Sequence, residues 1–430
     1  MASNITVKTS PPEYNPVYNP IRLCVFENDA PSRAEPNYKY IIEVTPELLD
    51  TITFYVPISP TDNLGYGVQD VSRVLERFII ETLPPTNLIS GFVAAQTRSI
   101  KKFDIEIYSG WDVAGVFTKN PNSVAAVVIS DRYAWSGSFP HHSLIDQLNE
   151  TTPFNTWLCN STNGTSAKFL SYNPEFKARL TDLGYTYAMT DDPGNIDHLN
   201  IKTFQADGTL IGTFVVDNPL GATPVSNRVL CVSTAPQSIN NIDSAYISVG
   251  AQPIITAAAA YYTLQLDKSG AGGISSEELT VTLESNCRYD TYRLHFLNEL
   301  GGFDYFNFTS RTEVTSSASR KTYTKSEVQI ATSGITYSNK DNGKTDYFLQ
   351  STNKYKLRSD YISGAQMTWL KELIESTLVF MEYTNTVGAL DYKPVTVSTP
   401  KWKQKIDSID KLFRLDLDIE EAHTNQRQRR

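Results

Sequence analysis

The stretch RLHFLNELGGFDYFNF, residues 293–308, indicates most clearly how this chain folds. Residues 291–297 and 303–308 are rich in large apolar side chains and predict two β-strands. The turn between them ends in Gly301 and Gly302, and glycine adopts the positive φ that a tight turn requires. Three aromatic residues follow the turn: Phe303, Tyr305 and Phe306. Two interpretations remain open, because these aromatic side chains could pack on their own core or lie at an interface between subunits.

The composition extends the β-rich interpretation to the whole chain. Its 430 residues include 24 Tyr and 19 Phe, and aromatic residues favour strands over helices. A hydrophobic fraction of 40% and a charged fraction of 20% are typical of a folded protein. The formal net charge of -9 argues against a general nucleic-acid binder, which would carry a basic face.

The order of the predicted elements divides the chain into four parts. Residues 1–20 are an extended, proline-rich arm, because repeated X-Pro bonds exclude a helix. Residues 21–120 form an N-terminal β-rich module, residues 121–268 a middle β-rich domain, and residues 277–430 a C-terminal β-rich module. The predicted fold class is therefore α+β and β-rich, with antiparallel sheet or β-sandwich modules that are each covered by one helix.

Two covering helices and several strands support this division. Apolar residues recur at helical spacing and predict a helix over residues 67–82; they are Val68, Val71, Leu75, Phe78 and Ile79. Ser363 and Gln366 have the spacing of a capping box and predict a helix over residues 365–378. The apolar run 254–262 predicts a buried strand, and two runs around an Asp-Gly turn predict a hairpin with strands 199–204 and 210–216.

The sequence contains no recognisable catalytic or metal-binding motif. HExxH, GxSxG and DxDxDG are absent, and the glycine-rich residues 269–276 lack the lysine of a phosphate-binding loop. The pair His141-His142 is interpreted as loop or interface histidines. Four widely spaced cysteines predict buried free thiols, with distant disulfides as the alternative: Cys24, Cys159, Cys231 and Cys287. We therefore predict a protein that is not an enzyme and has no catalytic, cofactor-binding or metal site.

The N-terminal residues carry no basic segment followed by an apolar run, so no secretory signal is predicted. No stretch reaches the roughly 18 apolar residues that a membrane span needs. These features predict a soluble protein that is made in the cytoplasm and has no membrane partner.

Three C-terminal segments resemble virion proteins of tailed bacteriophages that infect Bacteroidota, including crAss-like phages. Residues 296–308 are similar to a recurring FxNxxGGxDYFxF pattern. The other two segments are residues 369–376 and the closing strand, residues 412–420, in which apolar and charged side chains alternate. Residues 18–21 and 37–40 are similar to the start of such proteins. These motifs are structural, so the resemblance carries over no catalytic residue.

The resemblance implies a subunit of a symmetric ring in the neck or tail of a virion. Its partners would be other copies of itself and neighbouring neck or tail proteins. The extended arm, with Tyr14 and Tyr18, and the basic C-terminal tail, with Arg429 and Arg430, are the segments expected to reach a neighbouring subunit. An acidic body would suit a channel through which genomic DNA passes without binding tightly.

A second hypothesis is a receptor-binding or carbohydrate-binding protein at the tail tip. It requires exposed aromatic side chains that stack on sugar rings, and the candidates are Trp111, Trp135 and Trp157. A third, a glycan-degrading enzyme, would need two carboxylates placed across a cleft.

Overall fold

The computed structural model describes residues 4–59, 65–86, 89–120, 127–160, 166–191, 196–220, 229–268, 275–284, 289–324, 329–336, 343–399 and 413–426. The chain forms two compact units. The first comprises Met1–Ser285 together with Asn298–Asp304, and the second comprises Asn286–Leu297 and Tyr305–Arg430. Among the described residues, strands account for 50% and helices for 12%, which confirms the predicted β-rich α+β class.

The N-terminal part of the first unit contains two sheets around one core. Its strands are β1 (Ile5–Thr9), β2 (Tyr14–Pro16), β3 (Arg22–Glu27), β4 (Lys39–Pro46), β5 (Ile52–Pro57), β6 (Tyr66–Asp70), β7 (Val93–Ala95), β8 (Ile100–Val113), β9 (Val116–Lys119) and β10 (Val127–Trp135). One sheet has the order β1-β3-β6, and the other β2-β10-β8-β4-β5 with β9 on β8. Alternate side chains of both sheets, such as Leu23, Ile42 and Ile105, fill the core between them.

The rest of the first unit is built around a second core. Its strands are β11 (Leu158–Cys159), β12 (Phe176–Ala178), β13 (Tyr185–Thr190), β14 (His198–Phe204), β15 (Leu210–Asp217), β16 (Val229–Ser233), β17 (Ile247–Val249), β18 (Tyr261–Asp267) and β19 (Leu279–Leu283). They form the sheets β11-β13-β16-β7 and β12-β19-β18-β14-β15-β17. Strands β14 and β15 are antiparallel neighbours, which confirms the hairpin predicted from the Asp-Gly turn.

The second unit is organised around one large sheet. Its strands are β20 (Tyr292–Leu297), β21 (Phe303–Phe308), β22 (Glu313–Thr324), β23 (Gln329–Ala331), β24 (Gly334–Thr336), β25 (Lys344–Arg358), β26 (Val379–Thr384), β27 (Leu390–Val397), β28 (Asp416–Glu421) and β29 (Asn425–Gln426). The main sheet has the order β21-β20-β26-β27-β28-β25-β22, with β29 on β25, and β23 pairs with β24.

The helices are short and lie against the sheets. The α-helices are α1 (Ala30–Arg33), α2 (Ser72–Leu75), α3 (His141–Leu148), α4 (Pro236–Asn240), α5 (Gly364–Trp369) and α6 (Lys371–Glu375), and 3₁₀ turns cover Glu76–Phe78, Asn155–Trp157 and Ser244–Tyr246. The predicted capping box is confirmed, since Ser363 and Gln366 bond each other's backbone N–H groups. Buried Met367, Trp369 and Leu373 attach α5 and α6 to the sheet.

Two predictions about regular structure are wrong in part. The helix expected over residues 67–82 is limited to α2 and one 3₁₀ turn, because residues 66–70 instead extend the first sheet as strand β6. The run Ile254–Tyr262 is irregular up to residue 260, and a strand begins only at Tyr261. That run contains consecutive alanines, which have a low preference for strands, so apolar character alone is misleading there.

Candidate functional site

The N-terminal segment is extended, as the sequence predicts, but it is paired within its own unit. Strand β2 forms a parallel pair with β10, and Tyr14 stacks on Tyr133 with ring centroids 5.3 Å apart. Tyr14 is 2% exposed, so its side chain belongs to this unit's interior. Tyr18 is more accessible, at 40%, and its hydroxyl donates a hydrogen bond to Glu81. Burial and the bond to that carboxylate raise the pKa of Tyr18.

The aromatic residues after the glycine turn are largely buried. Phe303 is 2% exposed and lies in the first unit. Tyr305 is 5% exposed, and Phe306 packs against the core of the second unit. Their burial favours the interpretation in which the hairpin packs on the chain's own core. Arg429 and Arg430 lie outside the described residues.

The turn Asn298–Gly302 is held by a dense set of hydrogen bonds within the first unit. The Asn298 side-chain oxygen accepts from the backbone N–H of Leu300 at 3.1 Å and of Gly302 at 2.9 Å. Trp135 Nε1 donates to the carbonyl of Leu300 at 3.1 Å. Gly301 has a φ of +84°, and a Cβ atom there would lie 2.6 Å from the Ser136 carbonyl oxygen. Glycine is therefore required both by the backbone conformation and by the close approach.

The tryptophans proposed for sugar binding are mostly inaccessible. Trp135 is 1% exposed and Trp157 is 5% exposed, and both contact Phe139 in an aromatic cluster. Trp111 is half-buried and stacks on Tyr38. Stacking on a carbohydrate ring needs a free aromatic face, so Trp135 and Trp157 do not provide such a surface in this structure.

One pocket of about 610 Å³ lies in the first unit, between residues 9–22 and helix α3. Its walls are mainly apolar and include Phe154, Leu144 and several prolines, with His141 at the edge. The size falls within the usual range for small-ligand pockets. The described residues that line it include one histidine, one glutamate and one arginine, which do not form a recognisable catalytic set.

The described part of the chain offers little for metal or redox chemistry. It contains no group of three or more His, Cys, Asp or Glu side chains that could hold a metal ion. Cys24, Cys159 and Cys231 form no disulfide within the described residues, and Cys287 lies outside them. Burial raises the pKa of the Cys159 thiol to about 12, so it is a poor nucleophile at neutral pH. No helix in the described ranges is long and apolar enough to cross a bilayer.

A buried polar network crosses strands β20, β21 and β26 of the second unit. Glu382 Oε2 lies 3.3 Å from Arg293 Nη1 and 3.2 Å from His295 Nε2. Arg293 Nε also donates to the Asn307 side chain at 2.8 Å. Arg293 and His295 are almost fully buried, and a buried cation needs such an anionic partner. The network thus explains how the buried guanidinium group of Arg293 is accommodated between the strands.

The most unusual surface is the pair of long strands β22 and β25, which we call the ribbon. Strand β22 has 12 residues and β25 has 15, and they pair along nearly their whole length. Twelve residues of strand extend about 40 Å. Every residue of β22 is exposed, while β28 pairs with β25 only from Lys354 to Arg358. Strand β29 also pairs with β25, at Gln350 and Ser351. Among the described residues the ribbon is therefore two-stranded from Lys344 to Leu349 of β25, opposite Arg320 to Thr324 of β22.

The base of the ribbon is fixed to the main sheet by an ionic cluster. Glu421 on β28 accepts hydrogen bonds from Lys393 Nζ at 2.7 Å, the Tyr355 hydroxyl at 2.7 Å and the Asn353 amide at 3.1 Å. Burial alone would raise the pKa of Glu421, but the bonds from Lys393 and Tyr355 outweigh it and the net pKa is lowered. The cluster joins strands β25, β27 and β28 at the base of the ribbon.

The sequence does not predict the ribbon. The residues of β22 do not alternate between apolar and polar side chains, because all of them are exposed. The available signal was a long stretch rich in Ser and Thr that contains no proline.

No protein-family model matches this chain, and no curated protein sequence matches it. The likeness to phage virion proteins therefore depends on the motifs quoted above, and the ribbon is the candidate functional surface that the structure adds.

Proposed function

We propose that this protein is a non-catalytic structural component of a tailed-phage virion, which assembles through contacts between subunits as part of a symmetric ring in the neck or tail. The exposed ribbon is the observation that carries the assembly role. The virion and the ring are supported by the sequence resemblance alone.

A two-stranded ribbon has little stability of its own. Two strands without a packed face are marginally stable in water, because they bury too little apolar surface to offset the ordering of the chain. The separate pair β23-β24, which lies between β22 and β25 in the sequence, also exposes paired isoleucines, with Ile330 87% and Ile335 61% exposed. A partner surface would bury these side chains and supply the missing contacts.

Exposed charge on the ribbon fits a reversible assembly contact. Arg320 bonds Asp346 across the strands at 2.9 Å, and Lys321 lies over the Phe348 ring. Such side chains keep the isolated subunit soluble, and they can form new pairs when a partner approaches. The expected partners are other copies of this chain and neighbouring neck or tail proteins, with DNA passing through the enclosed channel.

The test compares the full chain with a variant that lacks the two-stranded part. Residues 318–351 are replaced by Asn-Gly, which joins Ser317 to its cross-strand partner Thr352 through a tight turn. We expect the full chain to form a closed oligomer by mass photometry and electron microscopy, and the shortened variant to fold without forming that oligomer.

The control variant is Val387→Ser. Val387 lies outside the ribbon, and its exposed fraction of 84% is close to the 87% of Ile330. It should leave the oligomer intact. A full chain that stays monomeric at tens of micromolar, or a shortened variant that assembles as well as the full chain, would contradict the proposal. A trimer that binds soluble glycans would instead favour the tail-tip function.

A further inference from the structure

We infer that strand β22 pairs with β22 of a second copy, antiparallel and about a two-fold axis at Ser317. This inference rests on the proposed function, since it takes the ribbon as the assembly surface. It adds the partner strand, the register and the symmetry of the contact.

The first step is that β22 has an available edge. It is the last strand of its sheet, and within the described ranges β25 is the strand that pairs with it. In an antiparallel pair, every second residue of an edge strand directs its N–H and C=O groups away from the sheet. Protein edges are usually protected by proline, by shortness or by an irregularity. Strand β22 has no proline and keeps a regular register from Glu313 to Lys321.

The second step is the shape of the strand. Its centre consists of Thr315, Ser316, Ser317, Ala318 and Ser319. These side chains are small, and all of them are exposed. A second backbone can therefore approach to the normal strand spacing of about 4.8 Å without displacing bulky groups.

The third step is charge, which selects one register. A two-fold axis perpendicular to the sheet keeps each residue on its own face, so residues of the same parity must lie opposite each other. Centring the pair on Ser317 places Glu313 opposite Lys321 of the second copy, and symmetry produces this pair twice. Opposite charges in directly facing positions stabilise a sheet.

Neighbouring registers lose this complementarity. Centring on Ser316 would place Lys321 opposite Arg311, a repulsive pair, and centring on Ala318 would place Lys321 opposite Thr315. The register at Ser317 also sets Thr315 opposite Ser319 and Arg311 opposite Tyr323, which leaves no like charges directly facing. A lysine on an edge strand normally discourages pairing, but here the second copy supplies its counter-ion.

The symmetry has a structural consequence. A two-fold contact joins two copies and then closes on itself, so it cannot build a ring alone. The pair would be the repeating unit, and the ring would require a second, different contact.

Cysteine cross-linking tests the register directly. Directly opposite residues in an antiparallel pair have Cα atoms about 4.5–5.5 Å apart, within the range that a disulfide spans. Ser317→Cys alone should therefore form a disulfide-linked pair under mild oxidation. Thr315→Cys and Ser319→Cys should each remain uncrosslinked, because their own copies are separated by about 14 Å along the strand. Mixing these two variants should produce the linked pair.

The native chain under the same oxidation is the control for Cys24 and the other native cysteines. A linked pair from Thr315→Cys alone, or none from Ser317→Cys when the oligomer is present, would disprove the register while leaving the proposed assembly role intact. A chain that remains monomeric would overturn both.

Charge reversal is the second test. Glu313→Lys alone, or Lys321→Glu alone, converts both symmetric pairs to repulsive ones and should weaken association roughly tenfold. The double variant should restore association to within about threefold of the native chain. Association that is unaffected by the single changes, or a double variant as weak as either, would disprove the proposed pairing.

Discussion

Two turns that join neighbouring strands of the sheet β21-β20-β26-β27-β28-β25-β22 have the same local geometry but opposite surroundings. Asn298–Gly302, sequence NELGG, joins β20 to β21, and Asn385–Ala389, sequence NTVGA, joins β26 to β27. In each, the side-chain oxygen of the asparagine accepts from two backbone N–H groups, at 3.1 and 2.9 Å in both turns. The fourth residue is a glycine with a φ of +84° in one turn and +82° in the other.

The turns differ in what lies around them. The third residue is Leu300 in the first turn, with no exposed surface, and Val387 in the second, 84% exposed. The turns also belong to different units, Asn298–Gly302 to the first and Asn385–Ala389 to the second. The comparison separates two causes of stability: the local sequence determines the conformation of the turn, and the neighbouring atoms determine how costly a change becomes.

The largest difference between the turns is expected for the positive-φ glycines. Gly301→Ala adds a Cβ atom 2.6 Å from a backbone oxygen, whereas a Cβ atom at Gly388 meets nothing within 4 Å. Both substitutions share the backbone strain of about 1 kcal/mol. We expect Gly301→Ala to lower the free energy of unfolding by about 4 kcal/mol and Gly388→Ala by about 1 kcal/mol. Chemical denaturation of the two variants measures this, and equal losses would show that the clash is relieved by movement.

The next pair removes the third residue of each turn. Leu300→Ala should lower the free energy of unfolding by about 3 kcal/mol, because it leaves a cavity in a buried site. Val387→Ala should change it by less than about 0.5 kcal/mol, since that side chain is in solvent. If denaturant titrations gave similar losses for Leu300→Ala and Val387→Ala, Leu300 would be less tightly packed than the structure indicates.

The asparagines form a third pair. Asn298→Ala removes two hydrogen-bond acceptor contacts and the donor contact to the Leu170 carbonyl at 2.8 Å, all in a buried position. We expect a loss of about 2–3 kcal/mol, because the freed N–H groups cannot reach water. In Asn385→Ala the same groups can be solvated, so a loss of about 0.5–1 kcal/mol is expected. Thermal unfolding of both variants compares them, with a smaller shift required for Asn385→Ala.

These turns also illustrate what the sequence can predict. The sequence predicts the NELGG turn because two long apolar runs flank it. It does not predict the NTVGA turn, which has the same pattern but is flanked by both polar and apolar residues. The helix over residues 67–82 was overextended, because Val68 matches helical spacing and yet lies in β6, 51% exposed. The proline-rich segment was correctly extended, but its pairing with β10 depends on residues more than a hundred positions away. The sequence does not predict the ribbon, because apolar periodicity indicates a buried face and every residue of β22 is exposed.

The carboxylate of Glu421 on β28 makes the stability of the second unit depend on pH. Glu421 has a pKa below its ordinary value of 4.5, so its contribution to stability is present above that pH and is lost as the pH falls through the folded-state value. Glu421→Gln should lower the free energy of unfolding by about 1–2 kcal/mol at pH 7. It should also reduce the loss of stability below about pH 4.5. Denaturation curves between pH 3 and 7 test this, and parallel curves for the variant and the native chain would contradict it.

Exchanging the two turn sequences is the most specific test, and the forward exchange should have the smallest effect. Thr386→Glu, Val387→Leu and Ala389→Gly together give the exposed turn the sequence NELGG. The backbone conformation is already that of the buried turn, so we expect a change below about 0.5 kcal/mol. The reverse exchange, Glu299→Thr, Leu300→Val and Gly302→Ala, should cost about 2 kcal/mol, because it removes a buried methylene and places a Cβ atom 3.0 Å from Tyr187. If both exchanges proved equally costly, the turn conformation would depend on its surroundings as well as its sequence. A neutral forward exchange together with a costly reverse one would show that the two causes act separately.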